Sequence, residues 1–242
     1  MSPEKNSRWD LVEGIVEIRF DSGLLYDAIL GLVYKQLVGS YSEPKPLPIL
    51  QLPESVRQLD ENLKYNSYYQ FLNEDFSLEL GPRVVIVRNQ PYKNKKAYIG
   101  WDKFYAEVQT ILAILKEQTI FSKIERIGVR YINFFKDMDI FEKTQINANF
   151  TFETESKILG VELNEDISFT SKLQITNNAS ININNEVEKG SIIDIDTSKT
   201  LNIEIEDLNK AIDDAHTITK GLLLEKVLKK DYIDSTNSND HE

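Results

Sequence analysis

Hydrophobic positions along the chain switch repeatedly between period two and period 3.6. Residues 11–20, LVEGIVEIRF, alternate imperfectly but are rich in β-branched residues and predict a strand. Residues 24–39 predict a helix, with Leu25, Ala28, Ile29, Leu32, Val33 and Gln36 on one face. The four prolines of 42–54 break regular structure and predict a connection. Short strands follow at 68–73, 77–80 and 84–88, joined by turns that favour antiparallel pairing. Residues 101–118 predict the best-defined helix, with a stripe of Phe104, Val108, Ile111, Leu112 and Leu115 and with Asp102 placed to cap its start.

The strand 124–135, IERIGVRYINFF, comes next. Alternation puts Arg126, Gly128, Arg130 and Ile132 on one face, and Ile127, Val129, Tyr131 and Asn133 on the other. Beyond it, INANFTFE (with Ile146, Ala148, Phe150 and Phe152 on one face), ISFTSKLQI, 179–184 and 191–196 predict four more strands. A helix over about 206–230 buries Leu208, Ala211, Ile212, Ala215, Thr219 and Leu222. The predicted order is β-α-β-β-β-α-β, then β-β-β-β-α. That is an α+β fold: a curved antiparallel sheet with three main helices covering one face. The expected organisation is an N-terminal α+β half, 1–135, and an acidic β-rich half, 136–230, joined in one domain by a weak boundary near 136–145. Residues 231–242 form a polar tail without an apolar anchor, expected to be disordered.

Charge divides along the same line. Of 28 basic and 39 acidic residues, 17 of each lie in 1–135, so the net charge of −11 belongs to the second half. All seven arginines lie at or before Arg130. The acidic half therefore disfavours nucleic acid. With no cysteine, disulfides, thiolate metal sites and cysteine nucleophiles are excluded. The first ten residues lack the apolar core of a signal peptide, and no apolar run reaches the ~20 residues of a membrane span, so a cytoplasmic location is expected.

Candidate chemistry is sparse. His216 follows an apolar-face alanine and reads as structural, and His241 lies in the tail. No GxSxG, HExxH, GxxxxGK[ST] or GxGxxG occurs, which argues against common hydrolases, NTPases and dehydrogenases. No catalytic residue, cofactor or bound metal is expected. Asp194 and Asp196 share a strand face and form the best carboxylate pair, but no third ligand accompanies them. Arg126 and Arg130 admit two readings. One is an anion- or partner-binding platform, with Tyr131, Arg88 and the basic loop residues Lys93, Lys95 and Lys96. The other is structural pairing with carboxylates of neighbouring strands, such as Glu17 or Glu79, tying the neutral half to the acidic one.

Several segments carry a resemblance: YIGWDKF before the second helix, IERIGVRYINFF after it, LVEGIVEIRF at the start, and IIDID with LNKAIDDAHTITKGLL near the end. Together they resemble a sporadically distributed family of bacterial and archaeal proteins of about this length whose function is not assigned. Ile99 departs from that family's pattern, which commonly has proline there. The resemblance supplies no catalytic residues. It implies a gene that travels with mobile or defence loci. The absent motifs, scarce histidine and acidic second half favour a non-catalytic protein-binding role, such as a sensor, antitoxin-like inhibitor or accessory subunit. The alternative is a binder or enzyme for an anionic small molecule or nucleotide that uses an arginine-lined pocket.

Overall fold

The computed structural model describes residues 11–90, 98–148, 154–164, 168–183, 186–201 and 203–238. Its frame is one nine-stranded sheet, antiparallel throughout. The strands are β1 (Leu11–Asp21), β2 (Lys45–Pro46), β3 (Tyr69–Leu72), β4 (Phe76–Gly81), β5 (Val84–Asn89), β6 (Lys123–Lys136), β7 (Ile158–Asn164), β8 (Thr170–Ile183) and β9 (Glu186–Lys199). They lie in the order β2-β3-β4-β5-β1-β6-β9-β8-β7. β6 pairs with β1 on one side and β9 on the other, so a single sheet runs through both halves of the chain.

Three helices pack on one face: α1 (Tyr26–Leu37), α3 (Trp101–Glu117) and α4 (Leu208–Gly221). The predicted stripe of α3 is buried at all five positions, and that of the last helix at all six. Their partners are Val16, Ile18, Phe20, Val85, Val87, Ile127 and Val129, the alternate residues of the central strands. In α1 the buried stripe is Ile29, Val33 and Leu37, while Leu25 stands just before the helix and is exposed. Gly100 precedes α3 with φ of +87°, a conformation that favours glycine. Asp102 does not cap the helix through its side chain. It sits in the first turn, where a carboxylate meets the positive end of the helix dipole.

Several elements depart from the sequence reading. The proline-rich connection forms the two-residue strand β2 and a 3₁₀ turn at Pro48–Gln51, with a short helix α2 (Glu54–Leu59) just beyond. Residues 146–148 are not in a strand, and 149–153 lie outside the described residues. The edge strand is instead β7, whose Leu159, Val161 and Leu163 alternate with Gly160 and Glu162. The strands expected around 167–175 and 179–184 are one strand, β8, with a register shift between Thr176 and Ala179. The last predicted helix does not run on to 230. α4 passes into a π-helical turn, Leu222–Val227, and Leu228 then extends to bridge Thr144. A further helix α5 (Lys230–Ser238) covers most of the segment read as a tail, and Tyr232 and Ile233 pack against the core beneath it.

Candidate functional site

The helix-free face of the sheet is charged, and its central arginines are paired with carboxylates. Glu13, Ile15, Glu17 and Arg19 of β1 point there, as do Arg126, Gly128 and Arg130 of β6. Arg126 leans across Gly128. Its Nη1 donates to Glu17 at 2.6 Å, and its Nη2 donates to both oxygens of Asp196 at 2.9 and 2.8 Å. A Cβ on residue 128 would collide with that guanidinium, so the glycine opens space for a side chain and does not leave bare backbone. Arg130 forms a forked pair with Asp194, Nε to one oxygen at 2.8 Å and Nη2 to the other at 2.5 Å. That fork raises the Arg130 pKa. Arg88 donates to Glu79 at 3.0 Å and to Glu13 at 2.8 Å. Burial works against the Arg88 charge, and the two carboxylates more than offset it, so its pKa is raised.

The two carboxylates predicted to share a face do share it, each occupied by an arginine from the neighbouring strand. Among the described residues, no group of three or more His, Cys, Asp or Glu could hold a metal. Of the two carboxylates expected to pair with Arg126 and Arg130, Glu17 bonds Arg126, whereas Glu79 bonds Arg88 and neither of them. Burial differs between the two central arginines: the Arg126 side chain is 15% exposed and that of Arg130 is 44% exposed. Lys93, Lys95 and Lys96 lie outside the described residues.

Tyr131 does not converge with the arginines. It points to the opposite face, under α3 and α4, where its hydroxyl and His216 Nδ1 share a hydrogen bond of 2.7 Å. The His216 ring stacks on Trp101, centroids 3.8 Å apart and planes 7° from parallel. The indole N–H donates to Asp213 at 3.1 Å. Trp101 is therefore half-buried between α3 and α4, not enclosed. Burial first, and Lys220 second, lower the His216 pKa from 6.5 to about 4 against the opposing pull of Asp213, so the ring is neutral near pH 7. Burial also drives the Tyr131 pKa well above its ordinary value. The pair is a neutral hydrogen-bonded contact inside the helix layer.

Sequence reasoning missed one feature, a cleft of about 660 Å³ on the helix-free face. It lies between β1, β4 and β5 and the chain from Leu47 to Ser67 that crosses them. Tyr65 covers Ile15, Val84 and Ile86 there, and the Arg19 guanidinium stacks on the Tyr65 ring at 4.7 Å. The only signal in the sequence was Arg19 and Glu17 sharing a strand face with apolar neighbours.

Compared with protein-family models and with curated proteins, the chain matches none of them.

Proposed function

We propose that this chain is a non-catalytic, cytoplasmic binding component that acts through a protein partner, as a sensor, antitoxin-like inhibitor or accessory subunit of a mobile or defence locus. The observation that carries the reading is the state of the arginines. Arg88, Arg126 and Arg130 are each bonded to one or two carboxylates. A phosphate arriving at them would have to displace an intramolecular carboxylate, and would meet Glu13, Asp194 and Asp196 at close range. Of the residues the sequence offered for an anion pocket, Arg88, Arg126 and Arg130 lie on one face of the sheet and Tyr131 on the other, under the helices. A sheet face whose central arginines are already paired suits a protein surface better than it suits a small anion. The net charge of −11 selects a net-basic partner.

The test is purification of the tagged chain from its source cells, followed by reconstitution with any protein recovered in fixed stoichiometry. Lys172 and Gln174 stand exposed on the helix-free face beside Asp196 and Asp194. Gln174→Lys, which sets a cation against a net-basic partner at an exposed position, is expected to weaken the reconstituted complex at least about tenfold with thermal stability unchanged. A nucleotide or sugar phosphate that bound the isolated chain, and lost binding in Arg130→Met, would overturn the reading.

A further inference from the structure

The arginines of the helix-free face are not equally neutralised. Glu17 serves two of them, since Oε1 accepts from Arg126 at 2.6 Å and from Arg19 Nε at 2.8 Å. Arg126 also holds Asp196, whereas Arg19 has no second carboxylate among the described residues. Its Nε bond to Glu17 and its stacking on Tyr65 fix the guanidinium plane. Nη1 and Nη2 then have no partners among the described residues, on a side chain 34% exposed that lines the cleft. A planar guanidinium held in this way presents a free edge suited to a carboxylate.

The other cleft charges sort by the same accounting. Arg88 and Glu79 neutralise each other. Glu61 also lines the cleft, and its carboxylate has no partner among the described residues. The cleft thus offers one free cationic edge and one free carboxylate. The rest of the lining includes Leu47, Pro48, Ile49 and Ile86, and the buried Ser67 hydroxyl, which has no partner among the described residues. A simple anion would gain Arg19 and be repelled by Glu61, and a simple cation would meet the reverse. A molecule carrying both charges around an aliphatic body satisfies both free charges.

We propose that this cleft binds a small zwitterion of amino-acid type, a free amino acid or dipeptide with branched aliphatic side chains. Its carboxylate lies on the free edge of Arg19, its ammonium on Glu61, and its side chains on Ile49 and Ile86. The cleft, about 660 Å³ and open to solvent on one side, is large enough for a dipeptide. The inference does not depend on the protein-binding role, because it uses a different part of the face.

The experiment is methyl NMR on the full chain, following Ile49 and Ile86 during titration with leucyl-leucine and, separately, leucine. Saturable shifts confined to the cleft are expected, and the tighter of the two ligands fixes the size class. N-acetyl-leucyl-leucine lacks the ammonium and leucyl-leucine amide lacks the carboxylate, and each should bind at least about tenfold more weakly. Glu61→Gln, at an exposed position, should bring leucyl-leucine down to the level of its acetylated form without changing stability. Ile49→Trp should fill the cleft and abolish the shifts. Unmoved methyls up to ~10 mM of both ligands would overturn the proposal. So would blocked forms that bind as well as the free dipeptide, or a Glu61→Gln variant that binds it unchanged.

Discussion

Arg126 and Arg130 occupy the same face of the same strand, and they should respond very differently to removal. Arg126→Met strips three charge-assisted hydrogen bonds from a side chain 15% exposed and leaves Glu17 and Asp196, 20% and 28% exposed, facing each other across Gly128. Breaking a fully buried pair costs about 3–5 kcal/mol. Glu17 keeps Arg19, and water reaches all three groups, so a loss of about 2–3 kcal/mol is expected here. Arg130→Met removes a forked pair of good geometry, but its side chain is 44% exposed. Asp194 can rehydrate, and the loss should stay below about 1 kcal/mol. For a chain of this size each kcal/mol shifts Tm by about 2–4 °C. Arg126→Met should then melt about 4–12 °C lower and Arg130→Met within about 4 °C of the parent. Chemical denaturation at pH 7 supplies the free energies, and a cycle with Asp196→Asn should return a coupling of about 1 kcal/mol or more for Arg126. Equal losses at the two arginines, or no coupling between Arg126 and Asp196, would refute the reasoning.

Gly128→Ala should destabilise the parent by about 1–2 kcal/mol, because the Arg126 guanidinium must leave its carboxylates. The same change in the Arg126→Met background should be close to neutral, as a denaturation cycle will show. His216 has a folded pKa below its unfolded one, so its contribution is fully present above about pH 6.5 and is lost as the pH falls toward about 4. The contribution is at most about 3 kcal/mol, less for the part of the ring that water reaches, and His216→Phe should flatten the stability profile across that window. Trp101→Ala should cost about 2–3 kcal/mol, below the range for an enclosed tryptophan, measured by urea unfolding. Calorimetric titration with magnesium, manganese and calcium should give no specific heat at Asp194 and Asp196, and a stoichiometric site lost in Asp196→Asn would contradict the arginine pairing.

What could be read from the sequence was local. The faces of α3, α4 and β6 follow from side-chain direction within one element, and period alone assigns them. The class of fold follows from short turns between consecutive strands. Partners of the arginines were legible only as a class, since Arg126 and Asp196 are 70 positions apart and nothing local sets the register of β6 on β9. β7 was overlooked although Leu159, Val161 and Leu163 alternate, because Gly160 and a single flanking charge weaken a short pattern. The π-helical turn after Gly221 has no signal in period, since the apolar residues Leu222 and Leu223 continue the helical stripe. The cleft depends on how 47–67 crosses the sheet, and a proline-rich connection does not reveal what it covers.

The two faces of the sheet solve different problems, and the charged one solves a problem the apolar one cannot. On the helix side, β9 presents Ile193, Ile195 and Thr197 to the core. A one-residue slip of β9 against β6 would turn those residues outward and is forbidden by burial. A two-residue slip would keep them inward and displace the strand by roughly 7 Å, so hydrophobic pattern alone discriminates weakly against it. The charges do discriminate. In one direction Arg130 would find Ile192 where Asp194 had been, and in the other Arg126 would find Ser198 where Asp196 had been. The first slip leaves Arg130 and Asp196 without partners, and the second leaves Asp194 without one and Arg126 with Glu17 alone. The arginines inside a core-like strand therefore fix the register that joins the neutral half of the chain to the acidic half. A face committed to that task has few cationic groups to spare, and Arg19, sharing one carboxylate with Arg126, is where a free edge remains.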